Sequence, residues 1–268
     1  IPNNFSFLIT YMIMKATCKK DVCPNKKYIV TSEEAANELT NSGFLDLYIG
    51  CIEKNDALVK SQLKRLVKKQ ITNERLYILP QPLMHGSNKS QEKIVDSLLK
   101  KICCFYYQYN NFNAFYIIAC CITEVISNFW SHADDPEDTI IFINGDSKYF
   151  HFYIADIGIG IISNLSPVLN ISDFLCLKKC VNDGVSSKKS IDSSFHMGKG
   201  LFLIRKIVEA HRGELNIWSE GYHLLVKQNR IDVEPCGYWK GTILEMRLKI
   251  NHAKSMPEIM GESYGKHC

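Results

Sequence analysis

The phosphate-loop pattern GxxxxGK[ST] occurs nowhere in these 268 residues, so nucleotide binding through that motif is excluded. No stretch approaches the roughly 20 uninterrupted apolar residues of a membrane span, and the apolar run from Phe5 to Met14 is too short and lacks a basic leader. A membrane is therefore not an expected partner. Long basic stripes are absent too. The formal net charge is +4, and the lysines are scattered, with local density at Lys64 to Lys69 and at Lys188-Lys189, so nucleic acid is not expected either. No CxxC pair and no internal repeat occur, which argues against a zinc module and a solenoid.

Cysteine itself is plentiful, with eleven residues. Cys103-Cys104 and Cys120-Cys121 are adjacent pairs inside apolar runs, where cysteine acts as a small hydrophobe, and a chain of this length needs no staples. Cys176 and Cys180 can share a helical face, though without further ligands. The expected compartment is reducing and cytoplasmic. The chain does not begin with methionine and is read as a fragment or a processed form. Its 46% apolar and 22% charged residues suit packed cores throughout, and the length suits one small and one larger domain.

The pattern of elements predicts three segments. Residues 1–85 read as a small α/β domain, with an apolar start, a strand at Lys27 to Val30, a helix after the N-cap Thr31 or Ser32, and a last strand at Leu76 to Leu79. Pro80-Gln-Pro82 and Gly86-Ser87-Asn88 mark the boundary. Residues 90–250 form the larger domain. Ile94, Val95, Leu98, Leu99 and Ile102 give one helix a single apolar face, and a second helix from about Asn113 to Ala133 is apolar almost all round, as expected of a helix buried against a sheet. Two strands, Thr139 to Asn144 and Tyr149 to Ala155, are joined by a turn at Gly145-Asp146. The sequence then turns irregular up to Gly200, with one helix near Asp173 to Cys180, followed by a helix at Leu201 to His211 and strands at Leu215 to Ser219, His223 to Lys227 and Thr242 to Leu248. Residues 251–268 read as a frayed tail.

Three short motifs carry chemistry. Glu124 and Asn128, four apart on the second helix, share one face: a carboxylate suited to general-base work and an amide oxygen suited to magnesium, with Ser131 and His132 a turn further on. The bland alternative is an exposed polar strip. Asp156-Ile-Gly158-Ile-Gly160 follows an apolar strand, where glycines let the backbone approach a flat ligand and the aspartate can accept from an exocyclic amine; the alternative is a plain strand-ending turn. Gly198-Lys199-Gly200-Leu201 opens a helix whose first-turn N–H groups favour phosphate; the alternative is a glycine hinge.

In this order and spacing, and followed by strands ending in Gly241-Thr242, the motifs resemble the GHKL family of ATPases. That family includes histidine-kinase catalytic domains, anti-sigma-factor kinases, type II topoisomerases, mismatch-repair ATPases and heat-shock chaperones. Its N box is similar to Glu124 to Ala133, its G1 box to Asp156 to Gly160, and its G2 box to Gly198 to Leu201, with Ile204 to Leu215 typical of the kinase-like branch. The resemblance covers about half the chain. It implies a Bergerat-type α/β domain (an α+β sandwich), with a mixed sheet covered on one face by helices.

By the same resemblance Asn128 would hold Mg2+, Glu124 would be the base, and Asp156 would bind the adenine amino group of ATP, with Thr242 near the ring. Gly158, Gly160, Gly198 and Gly200 would shape the pocket, with Lys199, Leu201 and His132 beside it, and Gly184 to Lys188 would lie in the lid, Lys188 reaching a phosphate. His196 departs from the pattern, standing where many relatives carry the first glycine of the G2 box.

A complete topoisomerase, mismatch-repair protein or chaperone of this type would need a further transducer domain. The only histidine before residue 132, His85, lacks the H-E/D-x-x-x-P context of a phosphoacceptor. The expected function is thus a regulatory Mg-ATP-binding protein that phosphorylates a partner or hydrolyses ATP in a signalling switch. The alternative is a nucleotide-gated protein-binding module with little turnover. Residues 1–85 resemble a STAS-type domain, which accompanies such ATPases in anti-sigma switches. A regulatory protein is the expected partner. Phe105 to Tyr109 reads either as core or as the seam of a homodimer.

Overall fold

The computed structural model describes residues 74–83, 88–132, 139–186 and 200–261. The strand at Lys27 to Val30, the helix after Ser32, the rest of the proposed STAS-like unit up to residue 73, and His85 lie outside the described residues.

Seven strands and six helices are described: β1 (Leu76–Pro82), α1 (Asn88–Tyr107), α2 (Phe112–His132), β2 (Ile140–Gly145), β3 (Tyr149–Ala155), α3 (Ile161–Leu169), α4 (Asp173–Lys179), α5 (Gly200–Ala210), β4 (Glu214–Ser219), β5 (Tyr222–Lys227), β6 (Arg230–Pro235), β7 (Thr242–Lys249) and α6 (Met256–Met260). The strands form one sheet in the order β1-β2-β3-β7-β4-β5-β6. The protein is therefore a mixed helix-and-sheet structure.

The expected mixed sheet is not what forms, because every ladder is antiparallel. The helical crossover from β3 to β4 does make those two strands run the same way. Strand β7 then inserts between them, antiparallel to both, so no parallel neighbours remain. The boundary placed near residue 85 also needs correcting for its last strand. Leu76 and Ile78 point into the main core and β1 pairs with β2, so β1 belongs to the sheet of the larger unit.

Period-two alternation decides which face is covered. Ile141 and Ile143, Phe150, Phe152 and Ile154, Leu244, Met246 and Leu248, Leu215 and Ile217, and Leu224 and Val226 enter one core. The same core receives Leu98 and Ile102 from α1, the Ile117 to Phe129 face of α2, Cys176 and Leu177 from α4, and Ile204, Ile207 and Val208 from α5. The helices therefore lie on one face of the sheet. By length and composition Phe112–Trp130 is apolar enough to cross a membrane. Its buried face, however, is part of this core, and α2 packs against both α1 and α5. The opposite sheet face carries a stacked pair, Phe142 and Tyr153, and a polar chain in which Asn216 donates to Glu245 at 3.2 Å and His223 meets the Asn216 amide oxygen at 2.9 Å.

Three elements escaped the sequence pattern. Helix α3 contains Pro167 and starts at a glycine, both of which read as loop. Strand β6 alternates Ile231 and Val233 with charged residues at the sheet edge. Helix α6 stands where the tail was expected to fray: Ser255 and Glu258 form a capping box, the Glu258 carboxylate accepting from the Ser255 amide at 2.7 Å and from its hydroxyl at 2.6 Å. Phe105 and Tyr106 are buried, whereas Tyr107 and Tyr109 remain exposed, so that segment divides between core and surface. Cys176 and Cys180 are both buried, and burial pushes the Cys180 thiol up to about 12, as suits an inert packing residue.

His211 ties the C-terminal segment to α5. Buried at 4% exposure, its Nδ1 lies 2.7 Å from the Ile207 carbonyl, and its Nε2 accepts from the Lys254 amide at 3.1 Å. An Nε2 that accepts requires the neutral ring. Burial, aided by the Lys254 charge, holds this histidine below its ordinary value, although the Ile207 carbonyl favours the proton. A folded-state pKa below the unfolded value of about 6.5 means that the unfolded chain binds the proton first, so this contribution to stability is present above about pH 6.5 and is lost as pH falls. The urea midpoint of the wild type should drop between pH 7.5 and 5.5 by more than that of His211→Gln, which keeps a donor and an acceptor but does not titrate. Equal drops would show that His211 is not the linked group.

Candidate functional site

The end of β3 is where the backbone becomes specialised. The Asp156 amide donates to the Thr242 carbonyl at 2.9 Å, extending the β3–β7 ladder by one bond. The carboxylate then turns back onto the chain: its Oδ1 accepts from the Gly158 amide at 2.6 Å and from the Thr242 amide at 3.3 Å. Asp156 is only 6% exposed, so these bonds satisfy a group whose burial would otherwise be costly. Its carbonyl accepts from the Trp239 indole N–H at 2.8 Å. A buried carboxylate at a strand end is an acceptor only, the kind of group that pairs with an amine donor.

Two glycines are needed here for opposite reasons. Gly160 has φ +91°, and a Cβ on it would lie 2.5 Å from the Glu220 carboxylate. Gly241 needs no unusual backbone angle; a Cβ there would lie 2.3 Å from the Asp156 carbonyl oxygen and 2.4 Å from its Oδ1. Absence of a side chain at 241 is what lets the β6–β7 loop sit on Asp156.

The start of α3 is already occupied. The Ile161 amide donates to the Ser219 hydroxyl at 3.0 Å, the Ser163 amide donates to Glu220 at 2.9 Å, and the Ser163 hydroxyl also bonds the Glu220 carboxylate. Glu220 thus serves as a remote cap, using the acidic group that a helix N-terminus favours. The Ser219 hydroxyl donates onward to the Gly241 carbonyl at 3.0 Å, and the Glu220 amide to the Trp239 carbonyl at 2.7 Å. With its Ile161 and Ser163 amides committed and the Glu220 carboxylate seated on it, the α3 start is a poor place for a phosphate.

A second cluster forms where α2 meets the start of α5. A Cβ on Gly200 would lie 2.7 Å from Glu124 Oε2, 3.1 Å from Asn128 Nδ2 and 3.8 Å from Asn128 Oδ1. Four-residue spacing puts the acid and the amide on the α2 face that meets α5. Both are half-buried, neither fully in solvent nor in the core.

Chain direction puts the two clusters at one end of the molecule. Ile140, the first residue of β2, pairs with Ala155 beside Asp156, and α2 leads into β2. Ser219 at the end of β4 pairs with Thr242, and α5 runs back over β4 from Gly200. The C-terminal part of α2 and the start of α5 therefore lie toward the sheet end that carries Asp156.

Of the predicted site residues, Glu124, Asn128 and Gly200 come together, as do Asp156, Gly158 and Thr242. Gly160 lines the Glu220 turn, and Leu201 packs half-buried against the core. His132 is the last residue of α2, and its side chain lies outside the described residues, as do Lys188, Gly198 and Lys199 in full. Among the described residues no group of three or more His, Cys, Asp or Glu is arranged to hold a metal, so Asn128 would act as a protein ligand only alongside waters and ligand oxygens, which is how magnesium is commonly held. Trp239, Ser219 and Glu220 were missed. Their sequence signal was the pair of glycines, Gly237 and Gly241, bracketing an aromatic loop just before a strand.

No protein-family model matches the chain, and no curated protein matches it.

Gly241→Ala should destabilise the protein by roughly 1 to 3 kcal/mol, the usual cost of overpacking, measured by thermal or urea denaturation. Gly237→Ala, where a Cβ meets nothing within 4 Å, should be nearly neutral. Equal effects at the two positions would contradict the close approach to Asp156.

Proposed function

We propose that this protein binds Mg-ATP between the start of α5 and the Asp156 end of the sheet, in the manner of a Bergerat-type GHKL ATPase, and that it uses the nucleotide in protein phosphorylation or ATP hydrolysis within a signalling switch. The observation that carries the reading is the packing of Gly200 directly on Glu124 and Asn128. A glycine at the first position of a helix, touching a carboxylate and an amide, brings phosphate-binding N–H groups, a magnesium ligand and a base into one place. A structural glycine hinge would need neither polar partner.

The residues divide the work by their chemistry. The first-turn amides of α5 would receive the phosphates, since at α3 the Ile161 and Ser163 amides are held by Ser219 and Glu220. Asn128 would supply an oxygen to magnesium, which contributes charge neutralisation at the phosphates. Glu124 would accept the proton of water or of a partner's hydroxyl as it attacks the terminal phosphorus. Asp156 would accept from the adenine amino group, held in register by the Gly158 and Thr242 amides.

Isothermal titration with Mg-ATP separates these roles. The wild type should bind, Asp156→Ala and Asn128→Ala should each weaken binding tenfold or more, and Glu124→Gln should bind with near-normal affinity while losing on the order of 100-fold or more in phosphate release or transfer. No binding by the wild type would refute the proposal. Binding without turnover, unaffected by Glu124→Gln, would leave a nucleotide-gated binding module.

A further inference from the structure

The far end of α5 offers a second surface. A groove of about 750 Å³ runs between the last turns of α5, the β5–β6 turn and the C-terminal segment, with Lys206, Arg212, Lys227 and Lys254 contributing cations and Glu209 and Glu258 carboxylates. The two acids are engaged: Glu209 pairs with Arg205 at 2.8 Å, and Glu258 accepts from Ser255 in the capping box. Lys227 pairs with Glu214 at 2.5 Å. Arg212 and Lys254 form no ion pair among the described residues.

Cations near a helix C-terminus complement its dipole, which accounts for Lys206 and Arg212 in part. That account does not reach Lys254, which belongs to another segment and is brought here by the bond from its amide to His211. Nor does it explain the backbone of Arg212, which sits at φ +48°, in the left-handed region where glycine or asparagine ordinarily ends a helix.

We infer that this groove docks a carboxylate-rich segment of a partner protein. Its relief and its charge pattern choose the class of partner. Glu209 and Glu258 line the same groove as the cations, so a continuous phosphate backbone would meet repulsion from them. A concave wall is also a poor match for the plane of a lipid surface. An extended peptide can place carboxylates opposite Arg212 and Lys254 and leave uncharged side chains opposite the acids, with Ala210 and Ile259 as apolar contacts and the Gln228 and Asn229 amides within the same lining. This surface is independent of what the Gly200 cluster binds.

Fluorescence anisotropy of a short fluorescein-labelled peptide of Glu, Asp and Leu tests the assignment, with the Gln, Asn and Leu counterpart and duplex DNA as competitors. The acidic peptide should bind the full chain, more weakly as ionic strength rises. Arg212→Gly combined with Lys254→Gln should raise its Kd tenfold or more, and Lys100→Gln, on the exposed side of α1, should leave it unchanged. Arg212→Gly also relaxes the left-handed backbone, so a folded variant is expected; Lys206→Gln provides a second, milder loss. The inference is overturned if the acidic peptide does not bind, if it binds the double variant with wild-type affinity, or if duplex DNA displaces it more effectively than unlabelled acidic peptide does.

Discussion

The pairing of β7 between β3 and β4 is the interaction on which the remaining architecture depends. It joins two antiparallel meanders, β1 to β3 and β4 to β6, into a single sheet and buries Leu244, Met246 and Leu248 beneath the helices. It also sets Thr242 against Asp156 on one side and Ser219 on the other. A slip of one residue in β7 would turn its apolar set to the other face and separate Thr242 from both partners, so the register that builds the core also builds the candidate site.

Around that register the backbone comes closer than side chains would allow. Gly241 rests on Asp156, and Gly200 rests on Glu124 and Asn128. At each place a missing Cβ is replaced by a polar contact, an arrangement of limited value to a core and considerable value to a site that must bring backbone N–H groups near a ligand. The α3 start shows the contrast: its Ile161 and Ser163 amides are spent on Ser219 and Glu220, whose turn also meets Trp239. Two helix starts at one end of the fold thus have different chemistry, one closed by an internal cap and one lined by an acid and an amide.

Much of this was legible in the sequence, for identifiable reasons. Helix α2 and strands β3 and β7 carry strong periodicity, and the Glu124–Asn128 spacing and the DxGxG turn stood out because polar residues and glycines interrupted apolar runs. The antiparallel sheet was not legible, since local pattern cannot reveal that the last strand enters between β3 and β4. Helix α3 was hidden by Pro167 and by a cap supplied from Glu220, 57 residues away from Ser163. Trp239 likewise acts through the fold alone, across 83 residues, on a carbonyl with no sequence signature.

The most direct test of the central claim is the amide NMR spectrum of the protein on addition of Mg-ATP. If the nucleotide sits between the start of α5 and the end of β3, the amides of Gly158, Gly200 and Thr242 should shift most, and the β5–β6 turn at Gln228 and Asn229 should stay in place. A spectrum unchanged by saturating Mg-ATP, or shifts confined to other parts of the chain, would contradict the account.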